Sequence, residues 1–173
     1  MTDSVTPAEL KRVHATSADS ARAYAVLEEA TAWLRSKGIA QWDELYPRAR
    51  FEREVEEGLV WVWKREDEIV ATVTLHAERP EYYPTHVWTE GADAWYVCRF
   101  AVARAYSGTG LGAQLLRELE RDALTVGKGA LRLDVTAANP FLHAYYAALG
   151  FDEHARHELA GDEAIFLEKA LRE

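Results

Sequence analysis

A single cysteine, Cys98, stands in a chain of 173 residues. No intrachain disulfide can form and a cysteine-built zinc site is excluded; a small buried hydrophobe is the role expected of it. Long apolar runs are missing too. No stretch approaches the roughly 18–20 residues a membrane helix needs, and the N-terminal MTDSVTPAEL lacks the basic-then-apolar layout of a signal peptide. A cytoplasmic protein that engages no membrane is expected. Positive charge is in deficit, 20 Lys+Arg against 29 Asp+Glu for a formal net charge of −9, and no basic cluster offsets it. Nucleic acid is therefore an unexpected partner. The six histidines form no metal constellation: His154 and His157 lie three apart on a predicted strand, on opposite faces. No metal is expected.

What is present is the composition of a globular protein, 49% hydrophobic and 28% charged, with length enough for one substantial core. One domain spanning residues 1–173 is expected. The acidic surface favours approach of a cationic amine, although solubility alone accounts for it.

Periodicity supplies the elements. Leu10 and Val13 suggest a short edge strand over Glu9–Ala15. Residues 19–37 carry Ala23, Val26, Leu27, Ala30, Trp33 and Leu34 on one helical face, with Asp19 or Ser20 as cap and Gly38 as stop. Pro47 opens a shorter helix that Gly58 ends. LVWVWKR and EIVATVTLH read as a hairpin turned at Glu66 and Asp67. Residues 77–94 form a long aromatic-rich loop, AWYVCRFAVA a nearly continuous apolar strand, and the segment from Leu111 a helix with Leu115, Leu116, Leu119 and Ala123 inward. ALRLDV is a strand, Asn139–Leu149 a helix opening near Pro140, and Phe151–Leu159 with Ala164–Lys169 a closing strand pair. The order implies an α+β fold, a central mixed β-sheet flanked by about four helices.

Between Val102 and the following helix lies Tyr106-Ser107-Gly108-Thr109-Gly110-Leu111-Gly112. The first N–H groups of a helix have no intrahelical acceptor, the helix dipole adds partial positive charge, and glycine lets a ligand approach the backbone, so the segment suits a diphosphate. GTGLGA also satisfies the dinucleotide pattern G-x-G-x-x-A, with Asp134 placed like a ribose-binding acid. Against that reading, five residues separate Val102 from Gly108, a hairpin region precedes the motif, and only about sixty residues follow it.

YVCRFAV, SGTGLG, LRLDV and NPFLHAYYAALGF together resemble the GNAT superfamily of acyl-CoA N-acyltransferases, well over Trp95–Glu153 and in element order before that. The resemblance implies a GNAT-like domain that uses acetyl-CoA, with no metal, to acetylate a small-molecule amine by direct attack. Acetylation of protein N-termini or lysines, and a non-catalytic acyl-CoA-binding or sensing module, are the alternatives. It places cofactor contacts at Phe100, Ala101, Val102, Arg104, Ser107, Gly108, Thr109, Gly110, Leu111, Gly112, Ala113 and Asn139. Ser107 stands where the family usually has Arg or Gln, and Arg104 is the residue that could compensate. A strand bulge near Phe100–Val102 would free a backbone N–H for the thioester oxygen. Tyr146 matches the family's tyrosine and is the expected acid for the departing thiolate. Glu90, Asp93 and Asp134 are candidate bases, none singled out; Glu90 and Asp93 also read as solvated loop charge, and Asp134 as a partner of Arg132 or Arg99 or as a turn cap. The loop aromatics Trp42, Tyr82, Tyr83 and Trp88 are the expected acceptor-binding residues, and the resemblance allows a homodimer.

Overall fold

The β-branched run after Gly58 makes the first hairpin of the sheet, and the other elements follow nearly as their periodicity demands. The protein, seen in a computed structural model that describes residues 5–41, 46–88, 90–91 and 93–172, contains β1 (Lys11–His14), α1 (Ser20–Ser36), α2 (Arg48–Glu56), β2 (Val60–Arg65), β3 (Glu68–His76), β4 (Ala94–Val102), α3 (Leu111–Thr125), β5 (Ala130–Thr136), α4 (Pro140–Ala148), β6 (Asp152–Leu159) and β7 (Asp162–Ala170). The strands are ordered β1-β2-β3-β4-β5-β7-β6, with β1 at an edge as expected. β4 and β5 pair in parallel while β1/β2, β2/β3, β5/β7 and β6/β7 are antiparallel, which makes the sheet mixed. No described helix is long and apolar enough to cross a membrane.

The chain forms two compact units, Met1–Leu75 with Arg99–Leu116 and His76–Cys98 with Arg117–Glu173; β4 and α3 contribute to both. In the first unit Ala23, Val26 and Leu27 of α1 and Phe51 and Val55 of α2 pack with Val60, Val62 and Ile69 of the hairpin. Glu66 turns that hairpin at φ 54°. Two expectations for α1 change. Asp19 makes no side-chain cap; its carboxylate accepts from the Thr16 N–H and hydroxyl, both at 3.0 Å, and from Lys64 Nζ at 2.5 Å. Trp33 is 42% exposed rather than core, because the guanidinium of Arg104 and the ammonium of Lys37 flank its ring at 4.3 and 5.9 Å.

In the second unit the aromatic-rich loop is part of the core. Tyr83, Val87 and Trp88 pack with Ala94, Tyr96, Cys98, Ala130, Ala164 and Phe166. Full burial of a side chain such as Phe166 contributes about 1.5–3 kcal/mol, enough to hold a segment that has no regular hydrogen bonding of its own. Arg132 and Glu168, opposite each other in the β5/β7 register, form a buried pair at 2.6 Å, and Arg132 also donates to the Tyr96 hydroxyl at 2.9 Å.

Candidate functional site

In the first unit the backbone past Val102 is tied down before it reaches the glycines. The Ala103 N–H donates to the Val70 carbonyl at 2.8 Å, a single 3-10 turn follows over Arg104–Tyr106, and the Tyr106 hydroxyl donates to Glu68 Oε2 at 2.7 Å. Thr109 Oγ1 then donates to the Tyr106 carbonyl at 2.7 Å. Gly108 and Gly110 sit at φ 78° and 82°, where an L side chain is strained, and open space surrounds the place a Cβ would occupy. The first bond into α3 is Gln114 N–H to the Gly110 carbonyl at 3.3 Å. Among the described residues, no backbone N–H from Gly108 to Ala113 donates to a protein acceptor. Six successive donors at the mouth of a helix are what a diphosphate needs, so the segment fits coenzyme A.

The two residues with special parts in that expectation lie differently. Ser107 Oγ turns back toward the Val102 and Ala103 carbonyls at 3.5 and 3.4 Å. Arg104 stacks on Trp33, and its N–H donates to Glu29 Oε2 at 3.3 Å.

Arg99 adopts φ 48°, a left-handed conformation inside β4 and immediately before Phe100, Ala101 and Val102. Its guanidinium donates from Nη2 to Glu54 Oε1 and Oε2 at 2.8 and 2.7 Å and lies 3.9 Å above the ring of Tyr46, whose hydroxyl donates to Glu54 Oε2. Arg50 adds a longer contact to Glu54 at 3.3 Å. Beside Tyr46 is a cavity of about 230 Å³ lined by Tyr24, Leu27, Glu28, Thr31, Ala32, Arg35 and Tyr46. The Glu28 carboxylate has no hydrogen-bond or ion-pair partner among the described residues. This constellation was not anticipated, although two local signals exist. Glu54 shares the apolar face of α2 with Phe51 and Val55, and Arg99 interrupts an apolar strand.

In the second unit Tyr146 is buried on α4, its ring edge-on to Tyr145 at 5.3 Å and Phe151 at 5.4 Å. Burial, then the neighbouring Tyr145 and the Asp134 charge, push its phenol well above the ordinary value, so it remains protonated throughout the neutral range. Asn139 is buried and caps α4, its Oδ1 accepting from the Leu142 N–H at 3.0 Å. Asp134 Oδ1 accepts from the Tyr83 hydroxyl, while of the two arginines considered for it Arg132 bonds to Glu168 and Arg99 to Glu54. Asp93 is ion-paired with Lys128 at 2.6 Å. Cys98 is buried as expected, with its sulfur 3.4 Å from the Tyr82 hydroxyl and 3.7 Å from that of Tyr83.

The four aromatics expected to bind the acceptor separate. Trp42 lies outside the described residues. Tyr83 and Trp88, expected to bind the acceptor, are 2% and 8% exposed and pack in the core. Among the three described, Tyr82 is the exposed one, at 38%.

Comparison with known proteins gives the family and the fold. The sequence profile described as "Acetyltransferase (GNAT) family" matches residues 23–151. A protein of Bacillus subtilis, "Uncharacterized N-acetyltransferase YesJ", is 31% identical over 125 residues, 69% of this chain and 69% of its own. A GNAT-family acetyltransferase from Streptococcus agalactiae superposes with TM-score 0.80 at 18% identity, covering 95% of this chain and 96% of that one. The PaiA N-acetyltransferase of Thermoplasma acidophilum, solved in complex with coenzyme A, does so with TM-score 0.69 at 16% identity over 93% and 98% of the two chains. At those identities the solved structures speak for the fold; the profile and the Bacillus relative carry the family. The chain thus belongs to the GNAT family and is an acyl-CoA-dependent acetyltransferase.

Proposed function

We propose that this acetyltransferase moves the acetyl group of acetyl-CoA to a primary amine of a small molecule by direct attack of the neutral amine. The observation that carries the reading is the row of amides from Gly108 to Ala113, which have no protein acceptor among the described residues. They would hold the diphosphate, with Ser107 and Arg104 at the edge of the cradle. The amides of Phe100, Ala101 and Val102, which follow the left-handed Arg99, are the donors assigned to the thioester oxygen.

Tyr146 is assigned the proton for the leaving thiolate, since a phenol that burial keeps protonated can donate but cannot compete as a base. Asp134 is assigned the amine's proton: its charge reaches Tyr146, and the Tyr83 phenol orients it. A small amine is favoured over a protein by the cavity beside Tyr46, whose size suits a compact acceptor and whose Glu28 carboxylate suits a cation.

The test is release of free thiol from acetyl-CoA across a panel of small amines and peptides. Rapid release with one small amine is expected. Tyr146→Phe and Asp134→Asn should each lower kcat at least about 10-fold while calorimetric binding of acetyl-CoA stays as it was. Tight binding with no release from any amine would favour the sensing module, and release with peptides alone would favour protein acetylation.

A further inference from the structure

The pairing of Glu54 with Arg99 poses a physical question. Both side chains are more than nine-tenths buried, at 8% and 9% exposure, and an ion pair removed from water that far gains little stability over apolar residues of the same size. Something other than net stability has to account for its geometry. Arg99 holds an unfavourable backbone conformation, φ 48°, in the middle of a strand and without being glycine. Its guanidinium is fixed by two short bonds to Glu54 and by the Tyr46 ring beneath it, while the Tyr46 hydroxyl fixes Glu54 in turn. In a strand, the direction of a side chain is set by its own backbone angles. A residue whose head group is anchored in α2 cannot return to extended geometry without withdrawing from that anchor.

We infer that Tyr46, Glu54 and Arg99 form a positioning clamp that holds the left-handed turn of β4 at Arg99 and so aims the next amides, at Phe100 and Ala101, at the acyl carbonyl. The clamp touches no reacting atom. Its catalytic consequence rests on the function proposed above; its mechanical part does not.

Glycine and alanine at position 99 separate the two. Both delete the guanidinium, but only glycine adopts positive φ without strain. In the protein without acetyl-CoA, Arg99→Gly should melt higher than Arg99→Ala by roughly 2–4 °C, the reverse of the order at an ordinary strand position. Arg99→Gly should also retain at least about ten times the kcat of Arg99→Ala at similar KM for acetyl-CoA. Glu54→Gln should lose kcat at unchanged KM, and the double variant Glu54→Gln/Arg99→Gly should recover part of it. An alanine variant that melts at or above the glycine variant overturns the clamp. Equal kcat for the two, with the melting order as expected, overturns its catalytic role. A wild-type protein that releases thiol with no amine would count against the proposed function and leave the melting comparison to decide the clamp. Tyr46→Phe keeps the ring under Arg99 and removes only the bond to Glu54, so it reports on the clamp should the substitutions at 99 or 54 prevent folding; it should lower kcat less than Glu54→Gln does, and a larger loss would contradict the arrangement.

Discussion

Asp19 joins the entrance of α1 to β2 through one carboxylate. Burial pushes its pKa up, but Lys64 and the two donors of Thr16 outweigh burial and leave it below the ordinary value of 3.8. A carboxyl whose folded value is depressed stabilises the protein fully above its unfolded pKa, and the contribution disappears as pH falls through the folded value. The bonds at 2.5 and 3.0 Å are charge-assisted, a class that contributes about 1.5–3 kcal/mol each when made to a charged group. Asp19→Asn should therefore lower the melting temperature at pH 7 by at least about 3 °C. The gap between variant and wild type should close as the pH falls from above the ordinary value of 3.8 through the depressed folded value. Melting curves across pH check it, and a gap that stays constant would show that the lost contribution is packing and not charge.

Secondary elements were legible where one segment contains its own instructions. Pro47 and Gly58 frame α2, Glu66 and Asp67 turn the hairpin, and Asn139 with Pro140 opens α4, all read from neighbours in sequence. The aromatic-rich loop over residues 77–94 is the opposite case: Tyr83 and Trp88 owe their burial to Tyr96 and Phe166, which no local pattern connects to them. Trp33 fits the spacing of a core position, yet a cation arriving from position 104 covers it instead. α4 offers a test at this scale, because Asn139 has two readings, helix cap and cofactor contact. Asn139→Ala should cost about 1 kcal/mol of stability through the lost bond to the Leu142 N–H, whereas Asn139→Asp keeps an acceptor in the same place and should melt close to the wild type. Calorimetry with coenzyme A on both variants then separates the roles. Weaker binding by the stable aspartate variant would mean that the side-chain amide contributes to the cofactor site beyond capping.

For the whole molecule, the distance between contributing segments in sequence decided what could be foreseen. The proposed cradle is contiguous, residues 107–113, so its glycine spacing can be read from sequence alone. The clamp brings Glu54 to Arg99 across forty-five positions, and Tyr83 reaches Asp134 across fifty-one, distances over which periodicity carries no information. Net charge is the one property that belongs to the entire chain and was available at once. A net charge of −9 attracts a cationic acceptor and repels the polyanionic acetyl-CoA, which the amides of the proposed cradle would capture at short range. Salt screens the long-range part, since the Debye length contracts from about 10 Å at 0.1 M to about 3 Å at 1 M. The two substrates should consequently respond with opposite signs. Raising salt from about 0.1 M to about 1 M is expected to lower kcat/KM for a diamine by roughly 3- to 10-fold while kcat/KM for acetyl-CoA stays level or rises. Initial rates with each substrate varied in turn provide the measurement. Equal responses from both substrates would mean that the overall charge maintains solubility and has no part in selecting the acceptor.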